Sequence, residues 1–230
     1  MLKELASATS PGLSTRLTVL VPVGSIEQHG AHLPLDTDTV IATAVANAAA
    51  QEVAARGEEA TVAPALAYGS SGEHQSFAGT SSIGTEVLQH VLIELTRSMR
   101  TWARRVVFIN GHGGNGTALQ RSVEQLTLEG HDVDWVTCST KGADLHAGRT
   151  ETSLMMHLAP WNVRLQRAVA GNTAGITELL PSMVAGGVKA VSANGVLGDP
   201  AGASAQEGAR LLAVMTRQVA RSVEARTNAS

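Results

Sequence analysis

Two short apolar runs constrain the fold of this chain more than any other feature of its sequence. They read LTVLVPVG at 17–24 and RVVFIN at 105–110, and their apolar residues are consecutive rather than alternating. A strand of this kind has both faces buried, which is typical of a parallel sheet covered by helices. Two further segments, 60–69 and 132–140, are also strand-like.

Helix-forming segments alternate with these strands. The clearest spans 39–56, where Asp36 or Thr37 can cap the start and Gly57 can end the helix. This alternation predicts an α/β fold with helices on both faces of the sheet. No linker or composition shift divides the chain, so we expect one domain over residues 1–230. The other predicted helices are 85–102, 117–130, 151–158 and 203–226.

Composition and charge narrow the classes of partner. The net charge is −3 and aromatic residues make up 3% of the chain, which argues against binding nucleic acid or an anionic membrane. The single cysteine, Cys138, excludes an intramolecular disulfide and a zinc site of the CxxC type. No secretory signal or membrane-spanning run is apparent, so we expect a cytoplasmic protein.

Four polar loops each follow a predicted strand. Because the carboxyl ends of parallel strands meet at one edge of a sheet, and ligands bind there, we expect these loops to converge. Nearly all the unusual polar residues of the chain fall in them. The four loops are 24–38, 69–84, 110–116 and 140–151.

The first loop carries the densest set of metal-capable side chains. Glu27 and His29 are two residues apart, so in extended backbone they point to the same side. Asp38 falls in the first turn of the next helix, where a carboxylate is favoured. Such ligands suit zinc, manganese or iron. His32 is a candidate for orienting a metal ligand, and Asp36 is a candidate for the helix cap. The simpler alternative for Glu27 and Asp38 is that they only cap the local backbone.

The third loop reads INGHGGNG and formally matches the G-x-G-x-x-G pattern of nucleotide-binding loops. That pattern expects an acidic residue at the end of the next strand, which here ends in TCST. A non-catalytic nucleotide-binding protein therefore stays an alternative. The preferred interpretation makes His112 a metal ligand, with glycines 111, 113 and 114 leaving room for substrate and offering N–H donors to an oxyanion.

The second and fourth loops supply further imidazoles and carboxylates. A hydrolytic metal centre formed by the first and third loops would still need one of each from the fourth. The candidates there are Asp144, His146, Arg149 and Glu151, and those in the second loop are Glu73 and His74.

Five blocks in order resemble the creatininase family of metal-dependent amidohydrolases. They are VPVGSIEQHGAHLPLDTD, GSSGEHQSFAGTSSIG, FINGHGGN, HAGRTETS and NGVLGDPAGASAQEG, and together they span about residues 19–210. The resemblance implies a three-layer α/β/α sandwich with a mainly parallel sheet, and two divalent ions per chain (zinc, iron or manganese). It also implies homo-oligomers, often hexamers, and hydrolysis of unusual amide bonds.

The resemblance also assigns roles to individual residues. It implies Glu27, His29, Asp38 and His112 as metal ligands, with Asp38 as the bridge. His146 matches a proton-transfer histidine. Glu151 matches a carboxylate of the fourth-loop block and is taken here as both a catalytic residue and a metal ligand.

Two departures separate this chain from creatininase itself. Gly114 stands where creatininase has a glutamate ligand, so another residue must complete the second metal site, and Glu151 is our choice. Gly142 stands where creatininase has a tryptophan that closes over creatinine, so we do not expect creatinine to be the substrate.

Within the family, the chain most resembles the peptidases of mycofactocin biosynthesis. That resemblance implies release of a modified C-terminal Val–Tyr dipeptide from a precursor peptide. The rival interpretation is a small amide substrate, as in the formamide hydrolases of flavin and deazaflavin biosynthesis. For the walls of a peptide pocket, the sequence offers Tyr68, Phe77 and Trp161.

Overall fold

A parallel four-stranded sheet forms the centre of the computed structural model, which describes residues 4–224. Residues 1–3 and the predicted end of the last helix at 225–226 lie outside the described residues. The strand order is β2-β1-β3-β4, and every neighbouring pair is parallel, as predicted. The strands are β1 (Thr18–Val23), β2 (Ala60–Val62), β3 (Arg105–Asn110) and β4 (Val133–Thr137).

Helices cover both faces of this sheet and complete the three layers. The helices are α1 (Thr37–Ala55), α2 (Thr85–Met99), α3 (Gly116–Leu128), α4 (Arg149–Leu158), α5 (Ile176–Gly186) and α6 (Ala205–Glu224). Successive side chains of a strand point to opposite faces, so Leu20 packs with α1, α4 and α6 while Val19 and Val21 pack with α2 and α3. The predicted α/β/α sandwich is confirmed.

Two elements differ from the expectation. β2 ends at Val62 instead of extending to 69, because Pro64 has no N–H to donate to the ladder; pairing with β1 resumes only at Leu66. The region between 159 and 202 contains α5, which the sequence analysis did not predict. This helix lies outside the two main core layers and packs through Leu179 in a small apolar cluster over the loops.

The connections place a crevice between β1 and β3. The chain leaves β1 for α1 on one face of the sheet, and it leaves β3 for α3 on the other. Adjacent strands whose connections diverge in this way form the usual ligand crevice of an open α/β sheet. The first and third loops flank this crevice.

The loops meet backbone to backbone at the edge of the sheet. A β-carbon at Gly24 would lie less than 3.0 Å from the main chain of Thr39, and one at Gly111 would lie as close to the carbonyl oxygen of Asp38. A β-carbon at Gly69 would equally meet the carbonyl oxygen of Gly24. Glycine at these three positions therefore allows the first, second and third loops to approach each other more closely than any side chain would permit.

Between residues 4 and 224 the chain has no helix that is both long and apolar enough to cross a bilayer. The longest helix, α6, is amphipathic, and its apolar side chains Met215 and Val219 are buried against the sheet layer. Its other face carries arginines. α6 is therefore an outer-layer helix of the sandwich.

Candidate metal centre

Glu27 lies at the centre of a cluster of histidines and carboxylates, and its side chain is fully buried. Its Oε1 atom lies 3.2 Å from His112 Nδ1, 3.4 Å from His74 Nε2 and 3.6 Å from His146 Nδ1. No described residue gives either carboxylate oxygen a well-aligned hydrogen bond. Burying a carboxylate without hydrogen-bond partners lowers the stability of the fold unless a cation neutralises its charge. This donor set therefore fits a divalent metal ion.

Asp38 joins the two sides of the cluster from the first turn of α1. Its Oδ1 atom lies 3.1 Å from His29 Nε2, while Oδ2 lies 3.4 Å from His112 Nδ1 and accepts a hydrogen bond from Ser25 Oγ at 2.6 Å. Each oxygen thus faces a different histidine. That is the arrangement a carboxylate needs in order to bridge two ions.

Among the described residues, three groups of three potential ligand atoms can be distinguished in this cluster. Within each group the atoms lie within 4.8 Å of one another. The structure thereby brings all five predicted ligands into one cluster, together with the predicted proton-transfer histidine. The first group is Glu27, Asp38 and His112, the second is His29, His146 and Glu151, and the third is Glu27, His74 and His146.

Main-chain contacts orient the second group. His29 Nδ1 donates to the carbonyl oxygen of Glu27 at 3.1 Å, which turns its Nε2 atom toward Asp38 and toward Glu151 Oε2, 3.8 Å away. Glu151 accepts the N–H of Ala147 at 2.6 Å. Among the described residues, Ala147 is the one non-glycine with a positive φ, 52°. This strained conformation aims the Ala147 N–H at the carboxylate.

Gln28 fixes the orientation of two further histidines. Its Oε1 accepts the Gly30 N–H and its Nε2 donates to the Gly195 carbonyl oxygen, so the amide has one orientation. The second hydrogen of Nε2 is then donated to His74 Nδ1 at 2.9 Å. His146 Nε2 donates to the main-chain oxygen of Gln28 at 2.7 Å, which leaves the lone pair of its Nδ1 facing the cluster.

His74 is therefore better suited to donate a hydrogen bond than to bind a metal. With Nδ1 accepting from Gln28, the proton of the neutral ring sits on Nε2, which faces Glu27. From the sequence alone, His74 is a candidate site residue without an assigned role. The signal that could have found it is the position of the second loop, which follows the strand beside β1.

Burial shifts the pKa values of two groups in opposite directions. Burial lowers the pKa of His146 well below its usual value, and the charges of His29 and His74 lower it further. His146 is therefore neutral at pH 7. Burial raises the pKa of Glu151 to about 7, although attraction to His29 opposes the shift. Glu151 can thus change protonation near neutral pH, whereas His146 stays unprotonated at one ring nitrogen there and can accept a proton.

Metal binding is expected to release protons and to strengthen as the pH rises. Burial disfavours a charged His29, but the attraction and hydrogen bond of Asp38 outweigh burial and raise the pKa of His29 to about 10. Burial also disfavours a charged His112, and there the attraction and hydrogen bond of Glu27 help to raise the pKa well above its usual value. Both rings hold a proton at pH 7 without metal, and a ligand must lose it. We expect affinity to rise about tenfold per pH unit for each proton released. Calorimetric titrations in buffers of different ionisation enthalpy measure this release, and a pH-independent affinity would contradict it.

Four other residues named from the sequence do not belong to the potential ligand groups of the cluster. His32 is buried and its Nε2 lies 2.9 Å from Thr152 Oγ1, so it packs the first loop against α4. Asp36 precedes α1 but makes no side-chain capping bond. Asp144 accepts the N–H groups of Arg149 and Thr150 and so caps α4. Arg149 pairs with Glu207 at 2.8 Å on α6.

One proposed oxyanion donor is excluded. The N–H of Gly111 donates to the Val23 carbonyl oxygen at 2.8 Å as an extension of the sheet, so it does not face substrate. Gly113 and Gly114 do line the cavity over the cluster. Of the three glycines named from the sequence, only these two remain candidates.

A cavity of about 410 Å³ opens over the cluster. Asp38, His112, His146 and Glu151 line its polar side. Its apolar side differs from the sequence-based choice of Tyr68, Phe77 and Trp161, and α5 supplies most of it. The apolar lining residues are Leu145, Ile176, Leu180, Met183 and Leu197.

Known proteins resemble this chain in both sequence and fold. The family model described as "Creatininase: Creatinine amidohydrolase" matches residues 5–223. The mycofactocin precursor peptide peptidase of Mycobacterium tuberculosis (strain CDC 1551 / Oshkosh) is 55% identical over 96% of this chain and 90% of its own length; that of Mycolicibacterium smegmatis (strain ATCC 700084 / mc(2)155) is 53% identical over 92% and 86%. A solved mutant creatininase of "Zn-Zn type" superposes with a TM-score of 0.78 at 25% identity, covering 98% of each chain.

Proposed function

Because the chain belongs to the creatininase family, we propose that it is a metal-dependent peptidase that releases a C-terminal dipeptide from a precursor peptide of the mycofactocin type. One observation carries the proposal: the buried carboxylates of Glu27 and Asp38 face four imidazoles beside one cavity, which Asp38 lines. The imidazoles are those of His29, His74, His112 and His146. The 55% identity to a peptidase of that name supports the choice of substrate.

The residues divide into two ligand sets and one proton carrier. Glu27 and His112 would hold one divalent ion and His29 and Glu151 the other, with Asp38 between them. Such ions lower the pKa of bound water toward neutrality and polarise the scissile carbonyl. The buried carboxylates of Glu27 and Asp38 would offset the positive charge of such ions.

His146 moves the proton. Its neutral ring presents the Nδ1 lone pair to the cluster, so it accepts at that atom the proton that the attacking water loses and gives it to the departing amine. The hydrogen bond from Nε2 to Gln28 holds the ring in place during both transfers. Gly113 and Gly114 line the cavity, so their backbone N–H groups are the candidates to stabilise the oxyanion.

The apolar cavity wall suits the side chains of a Val–Tyr terminus better than a small polar amide. Leu180 and Met183 of α5 face the cluster across the cavity, so an apolar residue flanking the scissile bond would be desolvated there. A formamide substrate would leave this wall without a partner. We also assign the whole of residues 1–230 to one catalytic domain that works in the cytoplasm as a homo-oligomer, hexameric as the resemblance implies.

Metal content and dipeptide release test the proposal together. We expect about two divalent ions per chain after purification without added metal, and release of the Val–Tyr dipeptide that a chelator abolishes and added zinc, iron or manganese restores. A precursor lacking its C-terminal dipeptide is the matched control. Two ions without release would move the assignment to a formamide substrate. Phosphate-dependent nucleotide binding without metal would restore the non-catalytic alternative.

A further inference from the structure

Position 114 has no side chain, and the volume that one would occupy is filled from another loop. A β-carbon at Gly114 would lie less than 3.0 Å from Glu73 Oε1, from His112 Nε2 and from the Ser70 carbonyl oxygen. None of these atoms could keep its position beside a larger residue at 114. The Glu73 carboxylate can therefore occupy its position only because residue 114 has no side chain.

The Glu73 carboxylate contacts the outer edge of His112. Glu73 Oε1 lies 3.2 Å from His112 Nε2, and the Ser70 carbonyl oxygen lies 3.1 Å from the same atom. The opposite ring nitrogen, Nδ1, faces Glu27 and Asp38 at 3.2 and 3.4 Å. The Glu73 carboxylate and the Ser70 carbonyl oxygen can only accept, so Nε2 keeps its proton and donates. Nδ1 is then the nitrogen that loses its proton and offers a lone pair to the cluster when a metal binds.

The turn that carries Glu73 packs closely against the main chain at Gly187. Glu73 belongs to the short 3-10 turn Gly72–His74. Gly187, just after α5, has a φ of 69°, and a β-carbon there would lie 2.7 Å from the Glu73 carbonyl oxygen. The side chain of Glu73 is 28% exposed, but its carboxylate turns inward to His112. Close main-chain packing thus limits the movement of the turn that carries this carboxylate.

We propose that Glu73 is a positioning residue for the metal ligand His112, and that glycine at 114 is what gives its carboxylate access to the ring. The inference rests on the proposed metal centre. Glu73 fixes the tautomer and the orientation of the imidazole and increases the basicity of Nδ1. A carboxylate bonded to the outer nitrogen of a ligand histidine commonly has this effect, and its loss costs about 10- to 100-fold in metal affinity.

Metal affinity of Glu73 variants, measured by competition with a chromophoric chelator, tests this inference. We expect Glu73→Ala to weaken binding by about 10- to 100-fold and Glu73→Gln, which keeps an acceptor but no charge, to weaken it less. The visible absorption spectrum of the cobalt-substituted protein should change in Glu73→Ala and be largely retained in Glu73→Gln. Glu86→Ala, which removes an exposed carboxylate from the first turn of α2, is the matched control.

Two results would overturn the inference. Wild-type affinity and an unchanged cobalt spectrum in Glu73→Ala would show that His112 needs no such support, whatever the activity. Equal loss of one full metal equivalent in both variants would instead make Glu73 a direct ligand. Neither readout depends on hydrolysis, so a protein that binds metal normally but releases no dipeptide would refute the proposed function and leave this inference standing.

Discussion

Asp38→Ala is expected to remove metal binding and hydrolysis together. One oxygen of Asp38 faces His29 and the other faces His112, so its loss damages both ligand groups at once. We expect metal affinity to fall by more than the roughly 10- to 100-fold that the loss of a supporting residue costs. Activity should fall to the level of the chelator-treated protein. Metal analysis after dialysis and dipeptide release from the same sample measure the two effects.

Asp36→Ala provides the matched control for this variant. Asp36 lies two residues earlier, at the start of the same helix, and makes no side-chain capping bond. It should keep its metal and its activity. A fully metallated and active Asp38→Ala protein would refute the bridging role, and failure of both variants would indicate damage to α1 instead.

His146→Ala is expected to separate catalysis from metal binding. The ring is neutral and is held through Nε2, so its free nitrogen is available to carry a proton. General acid–base catalysis typically contributes about 10²–10⁴-fold to the rate. We expect kcat to fall by this factor, with metal content unchanged. Steady-state kinetics at saturating metal and metal analysis of the same preparation provide the measurement.

The competing role for His146 is that of a metal ligand, because its Nδ1 lies within reach of His29 and Glu151. In that case metal content and rate would fall in parallel. His90→Ala is a suitable control, since His90 is an exposed histidine on α2. The His90 variant should match the unsubstituted protein in both measurements.

Much of this architecture follows from local sequence patterns. β3 begins and ends at the predicted residues, 105 and 110, because a continuous apolar run admits few alternatives. The parallel arrangement then places the loop residues at one edge of the sheet. The clustering of Glu27, His29 and Asp38 with His112 thus follows from strand direction alone, without knowledge of any side-chain contact.

The remainder depends on tertiary contacts that no local pattern specifies. α5 contains Pro181, which usually ends or kinks a helix, so its segment appears irregular in sequence. Which nitrogen of His146 faces the cluster depends on the main-chain oxygen of Gln28, more than a hundred residues away in the chain. The supporting position of Glu73 likewise depends on the absence of a side chain at Gly114.

The backbone-to-backbone contacts at Gly24, Gly69 and Gly111 have an evolutionary consequence. They fix the distance between the loops through main-chain atoms, so apart from the three glycines the frame does not depend on which side chains the loops carry. A lineage can then exchange a ligand or a wall residue one at a time while the spacing of the centre persists. We expect substrate preference to diverge readily through Leu180 and Met183, whereas any change at the three glycines would eliminate every activity at once.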